Sequence, residues 1–445
     1  MTIRGKAYDL AAWLQGTPFR NELAAALERQ YWSPDELRRW QLAKLNALLA
    51  HAREHTSHYQ NLPAAPLQDL SDFSQYPLLS KTQVRDDSAS LMATSFQKSS
   101  LRKTTGGSTG APVTVTKSKA GMATELAAVW RGLSWVGIEP GDLQARFWGV
   151  PHRLGARWKA NMVDLVTSRV RCSAFAFSES DLEAFYRRIV RKKTKYFYGY
   201  PSMIKEFCRY LESKKYASPN SLRAVITTAE PLNQDDRQFI SETLGVRVFN
   251  EYGCGELGTI AHECEHGSMH VNADSLIVET LSPDAEGDRS GGGGEVVVTD
   301  LENWAMPLVR YALADYATLS SAPCSCGRTL PVLSSVVGRA YDMLMDSNGR
   351  LYHGEYFLYI FEDLKKGGVD VDGFRLTQKA PDTFHLEVVA RSLEAAQFVC
   401  SRFRERLQNL FSERVNVSVS LVHSIPRESS GKLRVIRRAW VGASQ

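Results

Sequence analysis

No run of about 18 uninterrupted apolar residues occurs in the 445-residue chain, so it offers no candidate membrane span. The N-terminal apolar stretch is broken by Asp9 and lacks a secretory pattern. Cysteine is scarce. Seven are unevenly spaced, an odd number, which excludes a disulfide framework. Cys172, Cys208 and Cys400 stand alone and read as buried, reduced thiols. Neither sign of charge dominates, with 54 basic and 49 acidic residues and a net charge of +5. That balance lacks the footprint of a nucleic-acid binder but suits small anions. There are no tandem repeats, and the only biased segment is Gly291 to Gly294. These absences leave a soluble, cytoplasmic protein as the expectation. With 43% hydrophobic residues, the chain can build a large core over two or three domains.

Residues 39–56 place Trp40, Leu42, Leu45, Leu48, Leu49 and Ala52 on one broad face, predicting helical character for residues 1–100. A Gly-rich turn then leads into alternating Val113 and Val115, which read as a strand. Helices are expected near 120–135, 181–193, 202–214 and 233–244, with buried-type strands at 223–228 and 246–249. This alternation predicts an α/β fold with a mixed or parallel sheet. Beyond residue 270 the pattern turns to strands, at 295–299 and 307–311. Near the C-terminus, Phe384, Leu386 and Val388 alternate, as do Val415, Val417, Val419 and Leu421, with a helix over 392–411 between them. That pattern predicts a small α+β domain. A boundary near Arg339 divides the chain into a large domain (1–338) and a small one (339–445).

Four segments carry candidate chemistry. Thr104-Thr-Gly-Gly-Ser-Thr-Gly-Ala-Pro112 combines three glycines with clustered hydroxyls, a composition suited to phosphate oxygens. It is not a Walker loop, since no Gly-Lys-Ser/Thr follows, and an ordinary polar turn has the same composition. Asn250-Glu-Tyr-Gly-Cys-Gly-Glu256 follows a strand, and Glu256 suits Mg²⁺ at a sheet's carboxyl edge; the alternative is a solvated turn. Asp315 can accept hydrogen bonds from sugar hydroxyls or serve as a helix cap or surface residue. Lys432, after a Ser-Ser-Gly turn, can bring a point charge to a developing oxyanion or belong to a solvated basic tail.

In this order the four segments resemble the adenylate-forming superfamily, and within it the phenylacetate–CoA ligase branch with its CapK-type members. The resemblance spans nearly the whole chain. It implies a large multi-sheet adenylation domain followed by a small mobile α+β domain that carries a catalytic lysine. It further implies ATP and Mg²⁺, a carboxylic-acid substrate, and CoA as the acceptor, and is compatible with a homodimer. Thr105, Gly106, Gly107, Ser108, Thr109 and Gly110 match the phosphate-binding loop, with Gly106 in place of a hydroxyl and Ala111 where many relatives carry Lys. Ala229, Glu230 and Pro231 match the segment bordering adenine. Tyr252, Gly253 and Glu256 match Tyr-Gly-x-Thr-Glu, with Gly255 replacing Thr; Tyr252 is implied beside adenine and Glu256 on Mg²⁺. Asp315 matches the ribose-binding Asp and Arg339 the hinge arginine, although Tyr341 replaces the hinge Asp. Lys432 matches the catalytic lysine. The aromatic segments 146–152 and 198–202 fall where relatives place the acyl pocket. Their walls suit a flat or apolar acid, or are simply core.

Cys264-x₅-His270 with Cys324-Ser-Cys326 has the donor types of a tetrahedral structural zinc site on an excursion over about 260–330. His266 is an alternative fourth ligand, and unliganded thiols are the plainer reading. Similar sets in the resembled branch favour zinc. Cys254 reads as a packing residue. Two other functions compete with a CoA ligase. One is acyl transfer to an amine, such as an amino sugar, or to a carrier-protein thiol. The other is a non-catalytic nucleotide-binding homologue, suggested by Gly106, Ala111, Gly255 and Tyr341.

Overall fold

A computed structural model describes residues 3–96, 100–105, 113–148, 164, 167–173, 178–230, 232, 234–281, 294–320, 322–337, 344–347, 351–352, 357, 360–361, 364, 369, 371–411, 415–425 and 435–440. The N-terminal region is helical, as its periodicity predicts. Its longest helix, Pro34–His55, opens with a Ser33/Glu36 capping box and Pro at its first turn. Strands β1 (Ser100–Thr105) and β2 (Val113–Ser118) then pair as an antiparallel hairpin flanking the Gly-rich segment.

The main sheet has eleven strands. Its first half comprises β3 (Gln144–Trp148), β4 (Arg169–Ser173), β5 (Tyr196–Gly199), β6 (Ala224–Thr228) and β7 (Arg247–Cys254), all parallel. The second half, β8 (Gly258–Glu263), β9 (Met269–Val271), β10 (Leu276–Leu281), β11 (Gly294–Asp300), β12 (Tyr311–Ser320) and β13 (Val332–Val337), is antiparallel. Across the sheet the order is β10-β11-β12-β13-β9-β8-β7-β6-β5-β3-β4. All five residues of β6 are buried, as a central parallel strand covered on both faces requires. Helices Glu179–Lys192, Pro201–Lys214 and Gln234–Leu244 cross between the parallel strands. Helix Lys119–Trp135 packs Ala123, Ala127, Trp130 and Leu133 against Tyr196, Ala224, Ile226 and Phe249.

Two short strands, β14 (Leu344–Met345) and β15 (Leu351–Tyr352), precede a four-stranded sheet. That sheet contains β16 (Val371–Ala380), β17 (Thr383–Ala390), β18 (Asn416–Leu421) and β19 (Ile436–Arg438), in the order β18-β17-β16-β19. Helix Leu393–Phe411 joins β17 to its parallel neighbour β18 and buries Val399, Phe403 and Leu407.

One strand expectation fails. Residues 307–310 belong to no strand, and β12 begins at Tyr311. Arg310 adopts φ +48°, and its guanidinium binds both Glu279 oxygens (3.0 and 2.9 Å) and the carbonyls of Ser74 and Tyr76. These bonds favour the turn over the strand that the apolar run suggests. They also dock the segment after Tyr76, so that Leu79 forms a parallel bridge with Tyr311.

Candidate active site

Within the parallel half, β3 lies between β4 and β5, so the chain reverses its direction of travel across the sheet there. Open α/β sheets hold ligands at the carboxyl ends beside such a switch. The carboxyl ends of β3, β5, β6 and β7 carry several of the candidate residues.

The motif expected on a loop after a strand instead lies mostly within β7, which runs to Cys254; only Gly255 to Leu257 form the turn into β8. At Gly253 a Cβ atom would come within 2.4 Å of the Gly258 carbonyl oxygen, so the close β7–β8 approach requires glycine. Glu256, 4% exposed, is held at this turn. Lys81 Nζ lies 3.2 Å from Glu256 Oε1, and the Tyr311 hydroxyl donates to the same oxygen at 3.3 Å. Burial pushes the Glu256 carboxyl up, but the Lys81 ammonium together with hydrogen bonds from the Glu256 amide and Cys254 outweighs it and keeps the group below the usual carboxylate range. One ionised carboxylate is the protein donor Mg²⁺ commonly takes when substrate phosphates supply further oxygens, so Glu256 fits that role. The Tyr252 hydroxyl donates to Asp315 Oδ2 at 3.1 Å, joining motifs 63 residues apart. Asp315 is part of β12 and half-buried, so it is not a helix cap. At the end of β6, Ala229 has φ +67°, and Glu230 Oε2 accepts from the Ser202 amide at 3.1 Å.

Gly106 to Gly110, Ala111, Pro231, Arg339, Tyr341 and Lys432 lie outside the described residues, as does the Thr105 side chain; the Thr105 backbone ends β1 opposite Val113. Sequence reasoning missed Lys81 and Tyr311. Lys81 left one faint signal, a lysine in the first turn of helix Lys81–Asp86, where the helix dipole disfavours cations unless an anion is near. A third omission is Lys117 on β2, 1% exposed. Its Nζ reaches Glu125 Oε2 (2.8 Å), Asp300 Oδ2 (3.0 Å) and the Leu257 carbonyl (3.0 Å). It thereby ties the hairpin around the Gly-rich segment to the residue after Glu256. Lys103 on β1 adds a 2.5 Å contact to Glu125.

The ligand atoms of Cys264, His270, Cys324 and Cys326 all lie within 4.8 Å of one another. Bonds of 2.3 Å to a tetrahedral zinc put neighbouring sulfurs ~3.8 Å apart; the Cys264–Cys324 Sγ separation is 3.7 Å. Cys326 Sγ is 3.2 Å from His270 Nε2, while His270 Nδ1 pairs with the Leu330 carbonyl at 3.0 Å, which orients the ring. The backbone N–H of His266 donates to Cys264 Sγ (3.3 Å) and that of Cys326 to Cys324 Sγ (3.4 Å). The exposed His266 ring pairs with Ser325 and stands outside the quartet. Three sulfurs this close cannot all ionise without a cation among them, so the donor set fits zinc. Cys172, Cys208 and Cys400 are buried and free, as read. Burial raises the Cys254 thiol far above the nucleophilic range, consistent with packing.

Among the described residues no helix is long and apolar enough to cross a membrane. Residues 68–291 match the family of AMP-binding enzymes, and residues 344–439 match the CapK C-terminal domain. Phenylacetate–coenzyme A ligase of Thermus thermophilus is 25% identical over 434 residues, covering 90% of this chain and 96% of that protein. The Escherichia coli protein of the same name is 24% identical over 438 residues, covering 92% and 97%. Among solved structures, 2-hydroxyisobutyryl-CoA ligase in complex with 2-HIB-AMP and CoA superposes with a TM-score of 0.65. It is 20% identical and covers 92% of each chain, a likeness of fold.

Proposed function

The chain belongs to the AMP-binding enzyme family, in the phenylacetate–CoA ligase and CapK-like branch of adenylate-forming enzymes, and from that premise we propose that it activates a carboxylic acid with ATP and passes the acyl group to CoA. The observation that carries this reading is the convergence of Tyr252, Glu256, Tyr311, Asp315 and Lys81 beside the carboxyl edge of the parallel sheet. In the first step the carboxylate attacks the α-phosphorus of ATP, and the bond to pyrophosphate breaks. Two anions must meet, so neutralising charge and holding the reactants in line are the main tasks. Bound Mg²⁺ supplies part of that neutralisation, and Glu256 is the residue assigned to hold it. Lys81 keeps Glu256 ionised and adds a cation to a site whose glycine-rich loop has Ala111 where many relatives have Lys. Asp315 is assigned to the ribose hydroxyls, Tyr252, Ala229, Glu230 and Pro231 to adenine, and Thr105 to Gly110 to the phosphates. Arg339 contacts ribose or phosphate, and Lys432 supplies the cation that meets the reacting oxygens from the small domain.

In this reading the domain boundary lies near Arg339, and the small domain exchanges places over the site between the two half-reactions. The Cys264, His270, Cys324 and Cys326 quartet binds structural zinc that pins the β8–β9 turn to the β12–β13 connection. A second reading is transfer to an amine acceptor, the alternative that the resemblance to CapK-type members implies. Supplying ATP, Mg²⁺ and a panel of acids with CoA, or with amino sugars, separates the two. Acyl-CoA accompanying AMP supports the first, an amide formed without CoA supports the second, and neither product with any acid rejects both.

A further inference from the structure

The sheet face beneath helix Lys119–Trp135 changes character toward its carboxyl edge. In register, Arg146, Tyr198, Ile226 and Phe249 lie side by side on β3, β5, β6 and β7. Side chains alternate along strands, so Trp148, Thr228 and Glu251 follow on the same face two residues onward. Ile226 and Phe249 belong to the apolar layer under the helix. Around and beyond them the face is polar. The Arg146 guanidinium lies 4.8 Å from the Trp148 ring centre and 5.4 Å from that of Tyr198. Trp148 stacks on Tyr200 at 4.6 Å. The Tyr198 hydroxyl donates to Glu251 Oε1 at 2.7 Å, and Thr228 Oγ1 approaches the same oxygen at 3.4 Å.

Two atoms of this cluster are buried with no hydrogen-bond partner among the described residues: Arg146 Nε and Glu251 Oε2. Glu251 is 5% exposed. Buried polar atoms are nearly always paired, and leaving one unpaired costs free energy that folding alone does not return. Here an orphaned donor and an orphaned acceptor belong to one cluster at the edge where such sheets hold ligands. Burial pushes the Glu251 carboxyl up, and the hydroxyls of Tyr198, Thr228 and Thr259 oppose that shift, with a smaller contribution from the Arg146 charge.

We infer that this cluster is a polar subsite of the acid pocket, and that the acid carries a hydroxyl group which donates to Glu251 Oε2 while an oxygen lone pair accepts from Arg146 Nε. The inference rests on the ligase reading and narrows its substrate. A neutral hydroxyl is the match because it both donates and accepts. An ammonium would meet the Arg146 cation, and a second carboxylate would meet Glu251. The stacked Trp148 and Tyr200 rings form a flat wall for the carbon skeleton. Trp148 and Tyr200 therefore provide that wall beside a polar end, where the sequence suggested walls for a flat or apolar acid, or simply core.

Matched pairs of acyl-sulfamoyl adenosines test this: phenylacetyl with 4-hydroxyphenylacetyl, benzoyl with 3- and 4-hydroxybenzoyl, and butanoyl with 3-hydroxybutanoyl. Binding is measured by calorimetry, and pyrophosphate release is measured with the corresponding free acids. A site built around a hydroxyl rejects the analogue lacking it, so the hydroxylated member of at least one pair binds ~100-fold or more tightly. Glu251→Met brings that ratio to within ~10-fold. Equal affinity in every pair, or no binding in any, overturns the inference, and the wild-type ratios decide this even if the variant does not fold. Pyrophosphate release at equal efficiency with and without the hydroxyl removes the subsite and leaves the ligase reading standing. A clear hydroxyl preference in binding, with no release from any acid, removes the ligase reading and leaves the subsite.

Discussion

At the scale of single residues, Glu256 and the ammonium beside it carry the charge balance of the site. Lys81 Nζ sits 3.2 Å from a carboxylate that is 4% exposed, and it offsets the cost of keeping that charge buried. Removing Lys81 raises the pKa of Glu256, because burial then acts against a weaker opposing charge. In Lys81→Met the acid limb of the pH–rate profile therefore moves to higher pH, and kcat/KM at neutral pH falls by about a hundredfold, the usual scale for losing one pre-placed charge. A profile that keeps its wild-type acid limb contradicts this role. Glu256 and Asp315 were legible in the sequence because each lies in a short motif with fixed neighbours. Lys81 was not, because its partner is 175 positions away and nothing in Ser80-Lys81-Thr82 encodes that distance. Glu251 was passed over for a similar reason. Only the strand register sets its carboxylate beside Tyr198 and Thr228.

At the scale of elements, the crossing helices and the central strands β6 and β7 were readable, whereas β3, β4, β5 and most of the antiparallel half were not. Helices between short apolar runs announce a parallel sheet, and β6 and helix Pro201–Lys214 lie where the periodicity put them. Strands β8, β9, β10 and β13 are short or interrupt their alternation with His262, His270 and serines, so period-two patterning is weak there. The hairpin β1–β2 is held from below by Lys117, whose strand carries no hint of a buried ammonium. Replacing it by Met leaves Glu125 and Asp300 buried without their shared cation. The expected loss is about 3–5 kcal/mol of stability, the scale for breaking a buried ion pair from one side. A urea midpoint unchanged from wild type would show that Lys117 is not the anchor the geometry describes.

At the scale of the whole molecule, the Cys/His quartet joins distant parts of the chain. Cys264 and Cys326 are 62 residues apart, yet their ligand atoms meet within one tetrahedron's reach. Zinc analysis of natively purified protein is expected to find about one ion per chain. Chelation should lower the melting temperature by several degrees while leaving the four-stranded C-terminal sheet intact in hydrogen exchange. Zinc-free protein with an unchanged melting temperature contradicts the structural site. The sequence pointed to His270 with His266 as the alternative, and His270 is the histidine whose ligand atom joins the three sulfurs, while the His266 ring pairs with Ser325. The central claim is that this chain makes an acyl-adenylate, and acid-dependent exchange of labelled pyrophosphate into ATP tests it most directly. The account predicts exchange that requires Mg²⁺ and one class of acid, needs no CoA, and falls at least about a hundredfold in Glu256→Gln and in Lys432→Ala. Exchange that proceeds equally in both variants, or that is absent with every acid although ATP binds, would contradict it.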